Sequence, residues 1–369
     1  MTAGVPSHKA AVAATAAPTE GMRRRSGKVH GSRITLAHGS GGKAMRDLID
    51  DVIVSAFDNS LLAPLEDQAR IALSELSAMG DRLAFTTDSY VVDPLFFPGG
   101  DIGCLAVNGT VNDLAVSGAR PLYLSCGFIL EEGLEIATLR RVVDSMRAAA
   151  EAAEVRIVTG DTKVVPRGAA DKLYVNTAGV GVIGRGIAIE ARRAAPGDRV
   201  IVNGTIGDHG ATVLKARGDL ALDADLRSDC QPLHGLVAAL LAACPDVHCL
   251  RDATRGGVAT VLNEFAQAAG VGLLIDESAL PVRDEVRGVC ELLGLEALYM
   301  ANEGKLVAVV AAQDASAALA ALRGHPAGRD AAIIGCVREG PPGCVVMSTV
   351  FGGERIVDML VGDQLPRIC

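Results

Sequence analysis

The feature that most constrains the fold is an apolar, strand-like run leading to an aspartate, which occurs twice with two helical patterns in between. The run RLAFTTDS contains Asp88, and VRIVTGDTK reaches Asp161 by the same design. The first helical pattern starts after Asp101, a favourable N-cap residue, and stops at Gly118. The second, LEIATLRRVVDSMRAAAEAAE, has apolar residues at helical spacing and is expected to bury one face. Strands alternating with helices predict an α+β (mixed α/β) protein.

The length of 369 residues allows two domains, and turn-rich segments indicate where they meet. ARRAAPGDRV follows a long strand pattern and starts a second α/β unit, in which strands are predicted at 199–202, 305–310 and 344–347, and one more short strand is predicted in the tail at 355–361. We expect four segments: a basic head at 1–33, an N-terminal domain at 34–186, a C-terminal domain at 187–351 and a tail at 352–369.

Charge and composition exclude several classes of protein. The formal net charge of −9 argues against a nucleic-acid partner held through phosphate contacts. No apolar run reaches the roughly 18 residues that a membrane span needs. The head at 1–33 is basic and poor in large apolar residues, which predicts disorder. Nine cysteines without a secretion signal favour a reducing compartment, so we expect a cytoplasmic protein.

Acidic residues at strand ends and a glycine-rich loop indicate nucleotide chemistry. HGSGGK at 38–43 lacks the spacing of a P-loop, but its main-chain N–H groups can approach an anion. Magnesium bound to a nucleotide takes a few carboxylate oxygens together with water and phosphate, and ligands spread over several loops suit two metal ions beside a triphosphate. The candidate carboxylates are Asp67, Asp88, Asp113, Asp161 and Asp252.

Several longer motifs carry a family resemblance. HGSGGK, TTDSYVVDPLFFPGGDIGCLAVNGTVNDLAVSGARPLYLS, GDTKVV, RDATRGG, NEGK and the closing PRIC resemble the HypE carbamoyl dehydratases, hydrogenase maturation proteins among the aminoimidazole ribonucleotide synthetase-like (PurM-like) ATPases. The likeness runs from about residue 34 to residue 369. NDL…GARP and D.T.GG are shared across the superfamily, whereas TDSY…PLFFPGGDIG and PRIC are specific to this family. Gln68 replaces the alanine that the family usually has in EDAA.

The resemblance implies a homodimer whose N-terminal sheets form a shared barrel, with ATP and Mg²⁺ in a cleft beside it. The implied partners are the carbamoyltransferase HypF and the HypC–HypD iron scaffold. By motif, the metal ligands would be Asp67, Asp113 and Asp252. The nucleotide site would comprise His38, Gly39, Ser40, Gly41, Gly42, Lys43, Asp88, Asn112, Asp161 and Thr162. The catalytic residues would be Cys369, Lys163 and Glu303.

The resemblance also gives the closing cysteine a role. The partner would load Cys369 with a carbamoyl group, and ATP would drive its dehydration to a thiocyanate that supplies cyanide to the iron of a [NiFe] hydrogenase. The segment from Gly362 to Cys369 spans at most about 26 Å and is expected to be a mobile arm. Two alternatives remain open: a passive carrier of carbamoyl or cyanide groups, and a related enzyme of the selenophosphate synthetase or thiamine monophosphate kinase type.

Overall fold

The computed structural model describes residues 27–218, 224–362 and 367–369. The disorder predicted for the basic head concerns residues that lie mostly outside these ranges. Within them, strands and helices alternate along the chain and build two large sheets and one two-stranded sheet, which confirms the predicted α+β class. No helix in the described ranges is long and apolar enough to cross a membrane.

The N-terminal half of the described chain forms a four-stranded sheet. Its strands are β1 (Arg82–Tyr90), β4 (Ala119–Glu131), β5 (Arg156–Val165) and β6 (Leu173–Ile183), and a short hairpin pairs β2 (Phe96–Phe97) with β3 (Gly100–Asp101). The order is β1-β6-β4-β5, so β1 and β5 are the opposite edges. β6 is antiparallel to both of its neighbours, whereas β4 and β5 are parallel.

Helices pack on this sheet, and two of them contribute many of the buried apolar residues of its core. The helices are α1 (Lys43–Leu48), α2 (Ser55–Phe57), α3 (Leu73–Met79), α4 (Ile102–Val116) and α5 (Ile136–Ala152), with a π-helical stretch, Ile49–Val54, after α1. Asp101 caps α4 by accepting hydrogen bonds from the N–H groups of Gly103 and Cys104, and Gly118 follows the helix with a φ of 80°. The predicted cap and stop are therefore confirmed. α5 buries the predicted apolar face: Leu139, Val142, Val143, Met146 and Ala150.

In the second half of the described chain, seven strands form a second sheet. The strands are β7 (Arg199–Val202), β8 (Cys249–Asp252), β9 (Gly272–Asp276), β10 (Leu306–Val310), β11 (Ala332–Arg338), β12 (Val345–Ser348) and β13 (Glu354–Ile356), in the order β13-β12-β9-β11-β7-β10-β8. The helices are α6 (Asp208–Ala216), α7 (His234–Ala243), α8 (Gly257–Ala269), α9 (Asp284–Leu293) and α10 (Ala315–Gly324). Of the strands predicted here, that at 355–361 is shorter than expected because only the residues of β13 pair with β12.

α4 joins the two halves. Ala115 and Val116, at its end, belong to one apolar cluster with Leu236 of α7 and residues of the second sheet. Asn112 of the same helix accepts a hydrogen bond from the N–H of Leu233 at 2.7 Å. Side chains on α4 therefore face elements from both halves, and the candidate site lies where they meet.

Candidate functional site

Three of the aspartates predicted from the sequence lie together beside α4. Asp88 is near the end of β1, Asp113 is in α4, and Asp252 is the last residue of β8. Thr86 of β1 donates a hydrogen bond to Oδ2 of Asp113 at 2.8 Å. Because β1 and β8 belong to different sheets, this acidic cluster is formed by both halves of the chain.

The acidic cluster crowds negative charge into a partly buried position. Burial and the carboxylate of Asp113 raise the pKa of Asp252 to about 7. Burial also raises the pKa of Asp113, and the charge of Asp88 adds to that effect. Carboxylates that oppose one another's ionisation are stabilised when a cation binds between them. The cluster is therefore suited to a hard cation.

Glu303 lies next to the acidic cluster and is almost fully buried. Its N–H donates to Oδ1 of Asp229 at 3.0 Å, and its carbonyl accepts from Nδ2 of Asn112 at 3.3 Å. Burial, followed by the charges of Asp229, Asp252 and Asp88, raises the pKa of Glu303 well above its ordinary value. A rigidly held carboxyl group with a raised pKa is suited to proton transfer near neutral pH.

Arg255 supplies positive charge to the same cleft. Its guanidinium lies 3.5 Å from Oδ1 of Asp88. The negative charge of Cys369 contributes most to a raised pKa of Arg255, and Asp88 and Glu303 contribute further. Arg255 therefore connects the acidic cluster electrostatically with the last residue of the described chain.

The turn that carries Arg255 depends on two glycines. Gly256 and Gly257 have φ angles of 73° and 60°, in the left-handed region that favours glycine. A Cβ on Gly257 would lie 2.4 Å from the carbonyl oxygen of Leu298. The RDATRGG motif thus places its aspartate at the end of β8 and its arginine in the turn before α8.

A buried ion pair holds the main chain at Glu303 and Gly304 in place. Nζ of Lys305 lies 3.0 Å from Oδ2 of Asp229, and both side chains are nearly inaccessible. Burial alone would raise the pKa of Asp229, but the Lys305 ammonium helps to hold it below its ordinary value. Asp229 also accepts from the N–H of Gly304 at 3.3 Å, so the pair fixes the main chain beside Glu303.

Replacing Lys305 with methionine is expected to lower the free energy of unfolding by about 3–5 kcal/mol, because Asp229 is left buried without its counter-charge. Urea denaturation measures this change. The control is Arg338→Met, which removes the exposed pair between Arg338 and Glu354 at 3.8 Å and is expected to cost less than about 1 kcal/mol. Equal losses for the two variants would contradict the structural role of the buried pair.

The last three residues are docked in the cleft rather than extended from it. The N–H of Val91 donates to the carbonyl oxygen of Cys369 at 3.0 Å, and the N–H of Asp93 donates to that of Arg367 at 3.3 Å. Ile368 is buried against the N-terminal core. Cys369 lines a cavity of about 600 Å³ together with Arg255. The resting position of the closing cysteine, which sequence alone did not give, is thus in the cavity beside Arg255, whose guanidinium pairs with Asp88 of the acidic cluster.

The remaining predicted site residues lie at the other edge of the N-terminal sheet. Asp67, Asp161 and Thr162 line a separate cavity of about 480 Å³ beside α1 and β5. The 38–43 loop also packs on β5, where a Cβ on Gly39 would lie 2.7 Å from the main-chain nitrogen of Val164. In this loop, His38 is buried and accepts a hydrogen bond from the N–H of Thr35, and Ser40 donates one to the carbonyl of Ala37. Gly41 has a φ of 79°, and Gly42 precedes α1. Nζ of Lys43 lies 2.5 Å from Oδ2 of Asp47.

Within one chain, the acidic cluster is separated from the predicted site residues on β5. Across the sheet, Asp88 on β1 pairs with Thr177 on β6, which pairs with Cys126 on β4, which pairs with Gly160 on β5. Three spacings between strands separate Asp88 from Gly160 by roughly 14 Å, and Asp161 is the next residue. Lys163 and Asp161 are exposed on the face away from α4, where Nζ lies 3.7 Å from Oδ2, whereas Asp88 is on the α4 face. The expectation that Lys163 and Glu303 surround one reacting group is therefore not met within a single chain, because Lys163 is on the face of the N-terminal sheet away from α4, whereas the main chain of Glu303 is bonded to Asn112 of α4.

The donor set fits magnesium held jointly by protein and nucleotide. In the described ranges, no group of three or more His, Cys, Asp or Glu side chains is arranged to hold a metal by itself. Magnesium in nucleotide sites commonly takes one or two carboxylates and completes its shell with phosphate and water. Asp113 and Asp252, whose pKa values are raised first by burial and then by neighbouring carboxylates, offer such ligands.

Other residues of the site were not selected from the sequence. Arg255 belongs to a motif that was noticed only for its aspartate. Asp229 and Ser228 lie in an irregular connection with no motif. His209, at the start of α6, contacts the hydroxyl of Ser228 and the carbonyl oxygen of Ile368. Their roles depend on contacts with distant main-chain groups, which leave no local signal. Asn112 was expected to bind nucleotide, but here its side chain bonds to the main chain of Gln231, Leu233 and Glu303.

Comparison with known families defines the class of the chain. Residues 66–183 match the family described as AIR synthase related protein, N-terminal domain, and residues 195–347 match the corresponding C-terminal domain. A two-domain chain with its acidic cluster at the junction is thus an AIR synthase related protein. Two thiamine monophosphate kinase structures share this fold, and the one from Aquifex aeolicus has a TM-score of 0.56 at 23% identity.

Closer relatives identify the particular family. The carbamoyl dehydratase HypE of Rhodobacter capsulatus is 61% identical over 337 residues, 91% of this chain and 98% of that protein. HypE of Escherichia coli K12 is 57% identical over 338 residues, 92% of this chain and all of that protein. The chain belongs to the HypE family of carbamoyl dehydratases, which are hydrogenase maturation proteins.

Solved structures of HypE have the same architecture. A HypE structure in complex with ATP has a TM-score of 0.86 and 51% identity, covering 90% of this chain and 99% of that one. A HypE–HypF complex matches with a TM-score of 0.74 and 45% identity, covering 83% and 97%.

Proposed function

We propose that this protein uses ATP to dehydrate a carbamoyl group on the sulfur of Cys369, producing a thiocyanate that supplies cyanide to the iron of a [NiFe] hydrogenase. The observation that carries the proposal is the docking of Cys369 into the cavity with Arg255, beside the acidic cluster and Glu303. HypE proteins of known structure bind ATP and HypF, which supports ATP as the phosphoryl donor and HypF as the carbamoyl donor here.

The chemistry requires two steps because a carbonyl oxygen is a poor leaving group. The oxygen of Cys369–S–C(=O)–NH₂ attacks the γ-phosphorus of ATP, nitrogen loses one proton, and ADP leaves. The resulting phosphorylated imidate loses its second N–H proton as the C–O bond breaks, which gives Cys369–S–C≡N and phosphate. ATP thus supplies the leaving group, and the protein must position the sulfur and accept protons.

Glu303 is the proton acceptor in this proposal. Its main chain is fixed by Asp229 and Asn112, and its raised pKa makes the ionised carboxylate a stronger base. Arg255, beside Asp88, supplies positive charge next to the oxygen that takes up phosphate. Asp113 and Asp252 would hold magnesium, which neutralises phosphate charge when it is bound.

We propose that a second copy of the chain supplies the Lys163 side of the site. The face of the N-terminal sheet away from α4 carries Leu83 and Phe85 on β1, exposed by 57% and 73%, and Ile129 on β4. Large apolar side chains on an exposed sheet face favour packing against another sheet. A homodimer formed through this face would place Lys163 and Asp161 of one chain at the interface with the other.

Replacing Phe85 with glutamate is expected to shift the protein from dimer to monomer, because the charge would be buried in the proposed interface. Light scattering after size exclusion measures the mass in solution. Dehydration should be lost with the dimer, whereas loading of Cys369 should persist. Leu292→Glu places the same charge at an exposed apolar position on α9, away from the sheet, and serves as the control. A Phe85→Glu variant that remains a dimer of normal stability would contradict the proposed interface.

Product stoichiometry tests the proposed function. Carbamoylated protein mixed with one equivalent of ATP should release one phosphate and one ADP for each thiocyanate formed. The HypC–HypD complex would then accept the cyanide. Thiocyanate formation without ATP cleavage would overturn the proposed function, and so would ATP cleavage that leaves the carbamoyl group intact.

A further inference from the structure

The docked end of the chain is held mainly through main-chain groups. Besides the bonds from Val91 and Asp93, the carbonyl oxygen of Arg367 accepts from a terminal guanidinium nitrogen of Arg217 at 2.8 Å. The Arg367 side chain donates to the carbonyl of Val91 at 3.1 Å and pairs with Asp171. These contacts fix the backbone at Arg367 and at Cys369. Ile368 lies between them, so the contacts of Ile368 also help to determine where the sulfur of Cys369 lies.

His209 holds the carbonyl of Ile368 from within the core. This histidine is fully buried on α6, and its Nε2 lies 2.8 Å from the carbonyl oxygen of Ile368. Its Nδ1 lies 2.8 Å from Oγ of Ser228. The ring packs edge-on against Phe97 with centroids 5.4 Å apart, which fixes its plane. Nε2 thus contacts the end of the chain, and Nδ1 contacts the connection before α7.

The partners determine which nitrogen carries the proton. A carbonyl oxygen only accepts, so Nε2 must donate to Ile368. Burial lowers the pKa of His209, which favours the neutral ring, and Nδ1 then accepts from the hydroxyl of Ser228. Oγ of Ser228 accepts in turn from the N–H of Cys230 at 3.1 Å. One directed chain of hydrogen bonds runs from Cys230 through Ser228 and His209 to Ile368.

We propose that His209, oriented by Ser228, is a positioning residue that holds the Cys369 tail in the dehydration site and sets how often the tail leaves it. This inference rests on the proposed function, in which Cys369 must meet both a carbamoyl donor outside the cleft and the acidic cluster inside it. The two ring nitrogens of His209 bond to Ser228 and to the carbonyl oxygen of Ile368. His209 acts on the main chain one residue before the cysteine.

Different effects on loading and on dehydration follow from this arrangement. Loading by the carbamoyltransferase requires an undocked tail, whereas dehydration requires a docked one. Weakening the latch formed by His209 and Ser228 should therefore speed loading or leave it unchanged, and slow dehydration. Damage to the fold would lower both rates, so the sign of the loading change separates positioning from general destabilisation.

The first test measures docking without using the reaction. A bulky maleimide should label Cys369 about 3- to 10-fold faster in His209→Leu, the factor expected for losing one hydrogen bond. The label is read by mass spectrometry in the peptide released by cleavage before Asp363. His209→Gln keeps a donor near the Nε2 position and should restore slow labelling, whereas Ser228→Ala should give an intermediate rate. Equal labelling of His209→Leu and the parent protein would overturn the proposal.

The control changes a histidine that takes no part in the latch. Nδ1 of His234, on α7, is buried and has no hydrogen-bond partner among the described residues. His234→Leu is therefore expected to label Cys369 at the parent rate. Faster labelling in this control, matching His209→Leu, would show that the assay responds to the loss of any histidine side chain and would count against the latch.

The second test follows the two chemical steps in the same variants. In single-turnover reactions of carbamoylated protein, His209→Leu should dehydrate about 3- to 10-fold more slowly at saturating ATP, with unchanged ATP affinity and restoration by His209→Gln. If the parent protein fails to dehydrate, the proposed function fails whatever the labelling shows. If the parent dehydrates and His209→Leu does so equally fast, the positioning role alone is refuted.

Discussion

Cys369→Ser is expected to lose thiocyanate formation completely while keeping its fold and its affinity for ATP. A serine hydroxyl at neutral pH is a far weaker nucleophile than a thiol, which is partly ionised, so the carbamoyl group would not be loaded. The docking of the preceding residues uses main-chain groups and the buried Ile368 side chain, which the substitution leaves in place. Cyanide transfer to the iron scaffold, followed with labelled carbamoyl donor, measures the loss.

Two other partly exposed cysteines provide the control for this prediction. Cys336 lies on β11 and Cys344 lies just before β12, both in the second sheet region. Serine at either position should leave cyanide transfer at the parent rate. Parent-level transfer by Cys369→Ser would contradict the account, and so would a loss of equal size in either control.

Glu303→Gln is expected to slow dehydration by about 10²–10⁴-fold, the usual contribution of general acid–base catalysis. The amide has nearly the same shape but cannot accept the N–H proton. The main-chain bonds of residue 303 to Asp229 and Asn112 are retained, so the loop should keep its position. Rapid-quench analysis of carbamoylated protein with ATP measures the rate, and Glu354→Gln on the exposed strand β13 serves as the control.

The same variant separates an enzyme from a passive carrier. An enzyme with glutamine at 303 should accept the carbamoyl group normally and then stall at that stage. A carrier whose cargo is dehydrated elsewhere would pass on cyanide at the parent rate. Normal cyanide delivery by Glu303→Gln would therefore contradict the assignment of the dehydration step to this cleft.

The sequence predicted three strands of the four-stranded N-terminal sheet and missed the fourth. β1 and β5 were predicted from apolar runs that end near Asp88 and Asp161. β4, ARPLYLSCGFILE, was missed although it has 13 residues. It lies between β5 and β6, with few exposed positions to give a clear alternation, and its register shifts between Pro121 and Tyr123.

Local motifs identified site residues but not which of them meet. Asp113 and Asp252 are close because α4 lies between the two halves, which follows from packing rather than from spacing. Lys163 and Asp88 are separated because they lie on the opposite edge strands β5 and β1 and face opposite sides of the sheet. The order of the strands, which the sequence did not predict, was needed to recognise this separation. His209 escaped notice because a side chain that recognises a main-chain carbonyl has no fixed spacing from its partner.

The central claim is that the sulfur of Cys369 carries the group being dehydrated, and intact-mass analysis tests it most directly. The protein is incubated with carbamoyl phosphate, the carbamoyltransferase and ATP, and the C-terminal peptide is then sequenced by mass spectrometry. The account predicts a carbamoyl adduct on Cys369 that loses one water only when ATP is supplied. An adduct that keeps its mass in the presence of ATP, or a loss of water located at another residue, would contradict it.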